Sequence, residues 1–218
     1  MSGYSSWIGT DESGKGDYFG PLVVAGVFVD AEAANRLQRL GVRDSKRLSD
    51  QRAKELSFEI KRTTTHNIVP IGPQRYNELI EKLGNLNRLL AWGHARVIEN
   101  ILETVSCETV IADQFGDERF IENALMERGK HIDLIQRPKA EADIAVAAAS
   151  ILARAEFLQR LLDLSDMFHT KIPKGSSSPD VESTAVQLVR AFGPNVLKRA
   201  VKYHFKTTQR VLASASAS

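Results

Sequence analysis

A single cysteine, Cys107, in 218 residues rules out an intramolecular disulfide, and its setting in Leu102-Glu103-Thr104-Val105-Ser106-Cys107 reads as structural. That fits a reducing compartment. No apolar stretch of signal-peptide length precedes the first predicted strand, and none approaches the length that crosses a membrane. A cytoplasmic protein, acting as a monomer, is the expectation. Neither sign of charge is in marked excess, with 29 Lys and Arg against 27 Asp and Glu, a net charge of +2 and a pI near 8.7. Whole-chain charge is therefore weak evidence for nucleic acid, and local clusters must carry that reading. Internal repeats are absent as well. What remains is an ordinary globular composition, 43% hydrophobic and 26% charged, with enough chain to bury a substantial core, as one good-sized domain or as a domain with an appended helical part.

Within that plain background one stretch stands out. Ile8-Gly9-Thr10 runs into two adjacent carboxylates, Asp11 and Glu12, then into Ser13-Gly14-Lys15-Gly16 and, after Asp17-Tyr18-Phe19-Gly20-Pro21, into the β-branched run 22–29. The carboxylates thus sit at a strand end. Successive side chains on a regular strand face opposite sides, so for Asp11 and Glu12 to share a site the chain is expected to leave strand geometry between them. Gly14 and Gly16 supply flexibility and let backbone N–H groups approach a phosphate or sugar oxygen, and Lys15 adds positive charge. Two hard oxygen ligands beside a basic, glycine-rich turn suggest a divalent cation and a phosphodiester. An isolated Asp-Glu pair would ordinarily be a solvated turn; the glycines and the lysine argue for more.

Further along, a helix is expected over 31–40, and Ser49-Asp50 gives a helix start. Arg43, Lys46 and Arg47 make a basic loop between the two helices, which on spacing alone is a solvated charge run. A short strand over 66–71 precedes the longest helical territory, 74–104, broken at Gly84-Asn85-Leu86-Asn87. His94 reads there as a helix residue without chemistry. Thr109-Val110-Ile111-Ala112-Asp113 repeats the opening theme, a buried strand that ends on a carboxylate, and in α/β folds the carboxyl ends of strands hold the sites. A strand over 132–136 leads through Lys139-Ala140-Glu141-Ala142-Asp143 into the alanine-rich helix 144–154, whose small side chains permit close approach to a sheet. The last third is helical, with a break at Lys171-Ile172-Pro173-Lys174-Gly175-Ser176. Lys198, Arg199, Lys202, Tyr203, His204, Phe205, Lys206 and Arg210 gather cations and aromatics suited to a nucleic-acid surface. The Ala-Ser run 213–218 reads as a disordered tail.

Several of these strings resemble one family. Asp11-Glu12-Ser13-Gly14-Lys15-Gly16-Asp17-Tyr18-Phe19-Gly20-Pro21 resembles the opening motif of the type 2 ribonucleases H, and its second half is similar to ribonuclease HIII rather than HII. Asp44-Ser45-Lys46 is similar to a string of both subgroups, in which the lysine lies near the substrate backbone. Tyr76-Asn77-Glu78-Leu79, Gly84-Asn85-Leu86-Asn87-Arg88-Leu89-Leu90-Ala91-Trp92-Gly93-His94-Ala95 and the Pro173-Lys174-Gly175-Ser176 turn resemble the HIII subgroup in particular. The resemblance implies a ribonuclease H-like α/β fold over 1–212, with a central mixed sheet flanked by helices and a C-terminal helical extension from about 155. It also implies endonucleolytic cleavage of the RNA strand of RNA–DNA hybrids, leaving 3′-hydroxyl and 5′-phosphate ends. One departure is large: the subgroup usually carries an N-terminal domain resembling the TATA-binding protein fold, and only about ten residues precede the first catalytic strand here.

The resemblance assigns the catalytic, metal-binding acids to Asp11, Glu12, Asp113 and a fourth position, for which Glu141 is chosen and Asp143 stays open because the register of a short loop is not fixed by sequence. Each acid alone has a dull explanation, as a turn, a strand end or the charge at a helix start. Together they can converge on one sheet edge and hold two Mg²⁺ or Mn²⁺ ions, roughly 3.5–4 Å apart, for in-line phosphodiester displacement. Ser13, Gly14, Lys15, Gly16, Lys46 and Tyr203 are the expected substrate-binding residues. Two rivals use parts of the same pattern: a DNA-directed nuclease or resolvase, and a non-catalytic hybrid-binding module that would need no carboxylate cluster.

Overall fold

The computed structural model describes residues 4–43, 45, 48–117 and 119–216. Lys46 lies outside them. Five strands form one sheet in the order β3-β2-β1-β4-β5, with β1 Ser6–Ser13, β2 Leu22–Asp30, β3 Thr65–Ile71, β4 Thr109–Asp113 and β5 Asp133–Arg137. β1 runs antiparallel to β2 and parallel to β4, and β4 parallel to β5. The sheet is mixed, as the sequence implies.

The helices follow their local signals. Asp30 accepts a hydrogen bond from the Ala33 amide at 2.8 Å and starts α1, Ala31–Arg39; Ser49 does the same with Arg52 at 3.1 Å and starts α2, Asp50–Thr63. The long helical territory divides into α3, Pro73–Leu83, and α4, Leu86–Leu102, because Gly84 takes the left-handed conformation (φ +67°) that ends α3. A short α5, Arg119–Glu122, precedes β5, and the alanine-rich α6 extends over Ile144–Phe168. The chain then forms α7, Pro179–Phe192, α8, Leu197–Ala200, and α9, Lys206–Ser216. Among the described residues no helix is long and apolar enough to cross a membrane.

Two compact units arise from this chain. The first holds the sheet: residues up to Ser13, Val23–Val69 and Asn85–Ala155. Its core on one sheet face joins Ile8, Val24, Val110 and Ala112 to Ala91, Val97, Ile98 and Ile101 of α4. On the other face the start of α6 lies so close that a Cβ at Gly9 would meet Val146 N at 2.2 Å and the Ala145 carbonyl carbon at 2.3 Å. Only glycine permits that backbone contact. β1 therefore presents its even-numbered residues to α4 and its odd-numbered ones to α6.

The second unit comprises Gly14–Leu22, Pro70–Gly84 and the chain from Glu156 onward. Here the segment after the glycine turn is gripped by residues far along the chain. Tyr18 N donates to Gly175 O at 2.8 Å, Gly175 N to Asp17 Oδ1 at 2.7 Å, and Gly20 N to Ala200 O at 3.0 Å. Lys202, fully buried, donates from Nζ to the carbonyls of Asp17 at 2.8 Å and Gly20 at 2.9 Å. Burial pulls its ammonium down from the usual lysine range to about 7, and the charge of Asp17 opposes that. Two strings singled out in the sequence, Asp17-Tyr18-Phe19-Gly20-Pro21 and Pro173-Lys174-Gly175-Ser176, are thus hydrogen-bonding partners.

α9 runs on into the Ala-Ser run as far as Ser216. Adding a residue to an existing helix avoids the cost of nucleation, and alanine is the best helix former.

Candidate active site

β1 does not break between its two acids. Its pairing with β2 continues through Asp11↔Ala25 and Glu12↔Val24 to Ser13↔Val23, so the strand alternation holds and Asp11 and Glu12 leave on opposite faces. Asp11, on the α6 side, accepts a hydrogen bond from the Ser150 hydroxyl, while its Oδ1 accepts from the Glu12 amide at 2.8 Å. Glu12, on the α4 side, meets His94: Nε2 lies 3.3 Å from Glu12 Oε2, and Nδ1 lies 2.9 Å from Thr10 Oγ1. The sequence expectation of a broken strand is therefore corrected, because β2 supplies partners along the whole length of β1.

Asp113 ends β4 on the same side as Asp11, since Ala112, one residue earlier, belongs to the core beneath α4. Its Oδ1 accepts the Ala140 amide at 3.1 Å, which ties the short 3₁₀ turn Ala140–Ala142 to the end of β4. Glu141, half-buried, sits in that turn. Asp143 is differently employed. Its Oδ1 accepts from Trp7 Nε1 at 2.9 Å, Ala145 N at 2.9 Å and Val146 N at 3.4 Å, and Arg137 Nη2 stands 3.9 Å from Oδ2. This carboxylate caps α6 and anchors Trp7 to it.

The charges interact across the strand ends. Burial, then the charge of Glu12 and to a lesser extent that of Asp113, push the Asp11 carboxyl up to about 7 from the ordinary carboxylate range, against hydrogen bonds from Ser150 and the Glu12 amide. Crowded anions of this kind are what a divalent cation relieves, and all of them offer the hard oxygen donors that Mg²⁺ and Mn²⁺ take. No set of three or more His, Cys, Asp or Glu side chains among the described residues is already gathered as a metal cage.

The expected substrate residues fall as follows. Ser13 closes β1, half-buried; Gly14 is buried with φ +83°, and Lys15 and Gly16 are exposed. Tyr203 lies on the second unit, 37% exposed, its amide donating to Asn77 Oδ1 at 2.9 Å. Two residues were missed. Ser150 links motifs, its hydroxyl 2.7 Å from that of Ser45 as well as bonded to Asp11. His94 is wholly buried and stacks on Phe115 with ring centroids 5.1 Å apart. A polar ring amid Leu89, Leu90, Ala91, Ala95, Val97 and Ile98 was the available signal, since a buried polar group needs a partner.

Comparison with known proteins bears on these motifs. The profile of the family described as Ribonuclease HII matches residues 8–208. The chain belongs to that family. Within it, Ribonuclease HIII of Protochlamydia amoebophila (strain UWE25) is 47% identical over 205 residues, covering 94% of this chain and 68% of the relative. Ribonuclease HIII of Chlamydia felis (strain Fe/C-56) is 42% identical, with 96% of this chain and 71% of the relative covered. In three dimensions the chain is similar to the crystal structure of Bst-RNase HIII in complex with Mn²⁺, with a TM-score of 0.91 and 33% identity over 98% of this chain and 71% of that one. The protein is an enzyme of the ribonuclease H type with a ribonuclease H-like fold, and its similarity is to the HIII branch.

Proposed function

We propose that this enzyme hydrolyses the RNA strand of RNA–DNA hybrids with the help of divalent metal ions, leaving 3′-hydroxyl and 5′-phosphate ends. The observation that supports the reading is an Asp11 whose carboxyl is pushed up to about 7, first by burial and then by the charge of Glu12, with a smaller push from Asp113. Asp11, Glu12, Asp113 and Glu141 would hold Mg²⁺ or Mn²⁺, two ions per site. When bound, such ions polarise the scissile phosphate and lower the pKa of water. The carboxylates fix the position of that charge, and Ser150 and the Glu12 amide fix Asp11.

Discrimination between RNA and DNA falls to the turn that follows Glu12 in the chain. A 2′-hydroxyl both donates and accepts, and backbone groups without a Cβ in the way can read it. The two glycines serve different ends. A Cβ at Gly14 would meet Pro21 O at 2.4 Å and the Phe157 ring at 2.7 Å, whereas Gly16 has nothing within 4 Å. Gly16→Val should therefore fold normally and cut hybrid poorly, with Gly14→Val failing through misfolding. Lys15→Ala should weaken hybrid binding and flatten its dependence on salt, by close to one phosphate contact. Wild-type cleavage by Gly16→Val would remove the turn from substrate recognition.

The test of the function is cleavage of matched RNA–DNA and DNA–DNA duplexes with and without metal. Hybrid-specific, chelator-sensitive scission is expected. Equal scission of the DNA duplex would favour a DNA-directed nuclease, and binding without scission a hybrid-binding module.

A further inference from the structure

We infer that His94 is a positioning residue that sets the Glu12 carboxylate for metal binding. The inference rests on the proposed metal-dependent function and extends it to a residue of α4. Thr10 and Glu12 are two residues apart on β1 and share one face, so a single imidazole on the helix packed there spans both. Nδ1 is 2.9 Å from Thr10 Oγ1 and Nε2 is 3.3 Å from Glu12 Oε2. An ionised Glu12 can only accept, so Nε2 carries the proton and donates; in the neutral ring Nδ1 then accepts from the Thr10 hydroxyl. The acceptor-only carboxylate thus selects the tautomer, and the Thr10 hydroxyl, which rotates to donate to Nδ1, holds the ring in the orientation that faces Glu12.

The surroundings remove other freedoms. His94 is fully buried and Glu12 keeps 7% side-chain exposure, so neither swings out to solvent without losing its partner. The other side of the imidazole is covered by the Phe115 ring, with an interplanar angle of 27°. Phe115 stands two residues beyond Asp113, so His94 touches the end of β1 and the loop that follows β4. A group in this place orients a metal-binding carboxylate without itself meeting the metal, the arrangement whose loss ordinarily costs roughly ten- to a hundredfold in metal affinity or activity.

Two substitutions separate positioning from packing. His94→Phe keeps a flat ring against Phe115 and deletes both hydrogen bonds; Thr10→Val keeps the shape of Thr10 and deletes only the bond that holds Nδ1. Mn²⁺ affinity is measured on the whole chain without substrate, by the electron paramagnetic resonance of free Mn²⁺, alongside unfolding in chelator. His94→Phe should weaken Mn²⁺ binding by roughly tenfold or more, and lower kcat while leaving KM for the hybrid in place. Thr10→Val should weaken Mn²⁺ binding by a smaller factor, and His94→Gln, which can still donate to Glu12, should recover part of the loss. Wild-type Mn²⁺ affinity in a folded His94→Phe protein overturns the inference, and if that variant does not fold, wild-type affinity in Thr10→Val overturns it. Failure of the wild type itself to bind Mn²⁺ would instead overturn the metal-dependent function.

Discussion

Replacing Asp113 by Asn is expected to cut the rate of hybrid cleavage by roughly a hundredfold or more, about 3 kcal/mol of transition-state stabilisation, with the fold intact. The fold should survive because an Asn side-chain oxygen can still accept the Ala140 amide that Asp113 Oδ1 holds at 3.1 Å. What is lost is charge. Asp11→Asn should lose activity to the same degree for the same reason, keeping the Oδ1 acceptor for the Glu12 amide. In chelator this second variant should unfold at a higher temperature than the wild type, because it takes one negative charge from a crowded set. Near-normal turnover in Asp113→Asn, measured with saturating Mn²⁺, would sink the assignment.

The second large effect is expected at Glu141 and not at Asp143. Glu141 sits half-buried in the turn whose first residue, Ala140, donates its amide to Asp113, and the prediction rests on that link of the turn to the end of β4. Asp143 has its Oδ1 committed to Trp7, Ala145 and Val146. Glu141→Gln should thus fall in rate like Asp113→Asn. Asp143→Asn retains the accepting oxygen and should be mild, whereas Asp143→Ala should lose about 1–2 kcal/mol of stability as a helix cap and a buried partner disappear. Side-by-side kinetics with the order reversed would move the fourth acid two residues along.

Much of this was legible in the sequence, for reasons that can be traced to particular residues. The end of β4 announced itself by an apolar run that stops on Asp113, and the start of α2 by Ser49, because those signals are local. The Asp17 and Pro173 strings were visible as motifs, yet that they bond to each other was not, since a contact between Asp17 and Gly175 leaves no trace in either neighbourhood. The same limit hid Ser150 and His94, whose partners Asp11 and Glu12 are brought to them by the packing of α6 and α4 on opposite faces of β1. Strand alternation, applied strictly, places Asp11 and Glu12 on those two faces, and β2 pairs with β1 without a break between them. The resemblance favours Glu141 and leaves Asp143 open, and the hydrogen bonds that occupy Asp143 could not be read from the sequence because they depend on where Trp7 lies.

Thermal unfolding of the intact chain in chelator and in excess Mn²⁺ tests the central claim, that the strand-end carboxylates form the metal site, most directly. A ligand present at a hundred times its dissociation constant stabilises by about 2.7 kcal/mol, a shift of several degrees in a protein of this size. The wild type should rise by that amount in Mn²⁺, while Asp11→Asn and Asp113→Asn should scarcely respond. An equal rise in all three proteins would contradict the account.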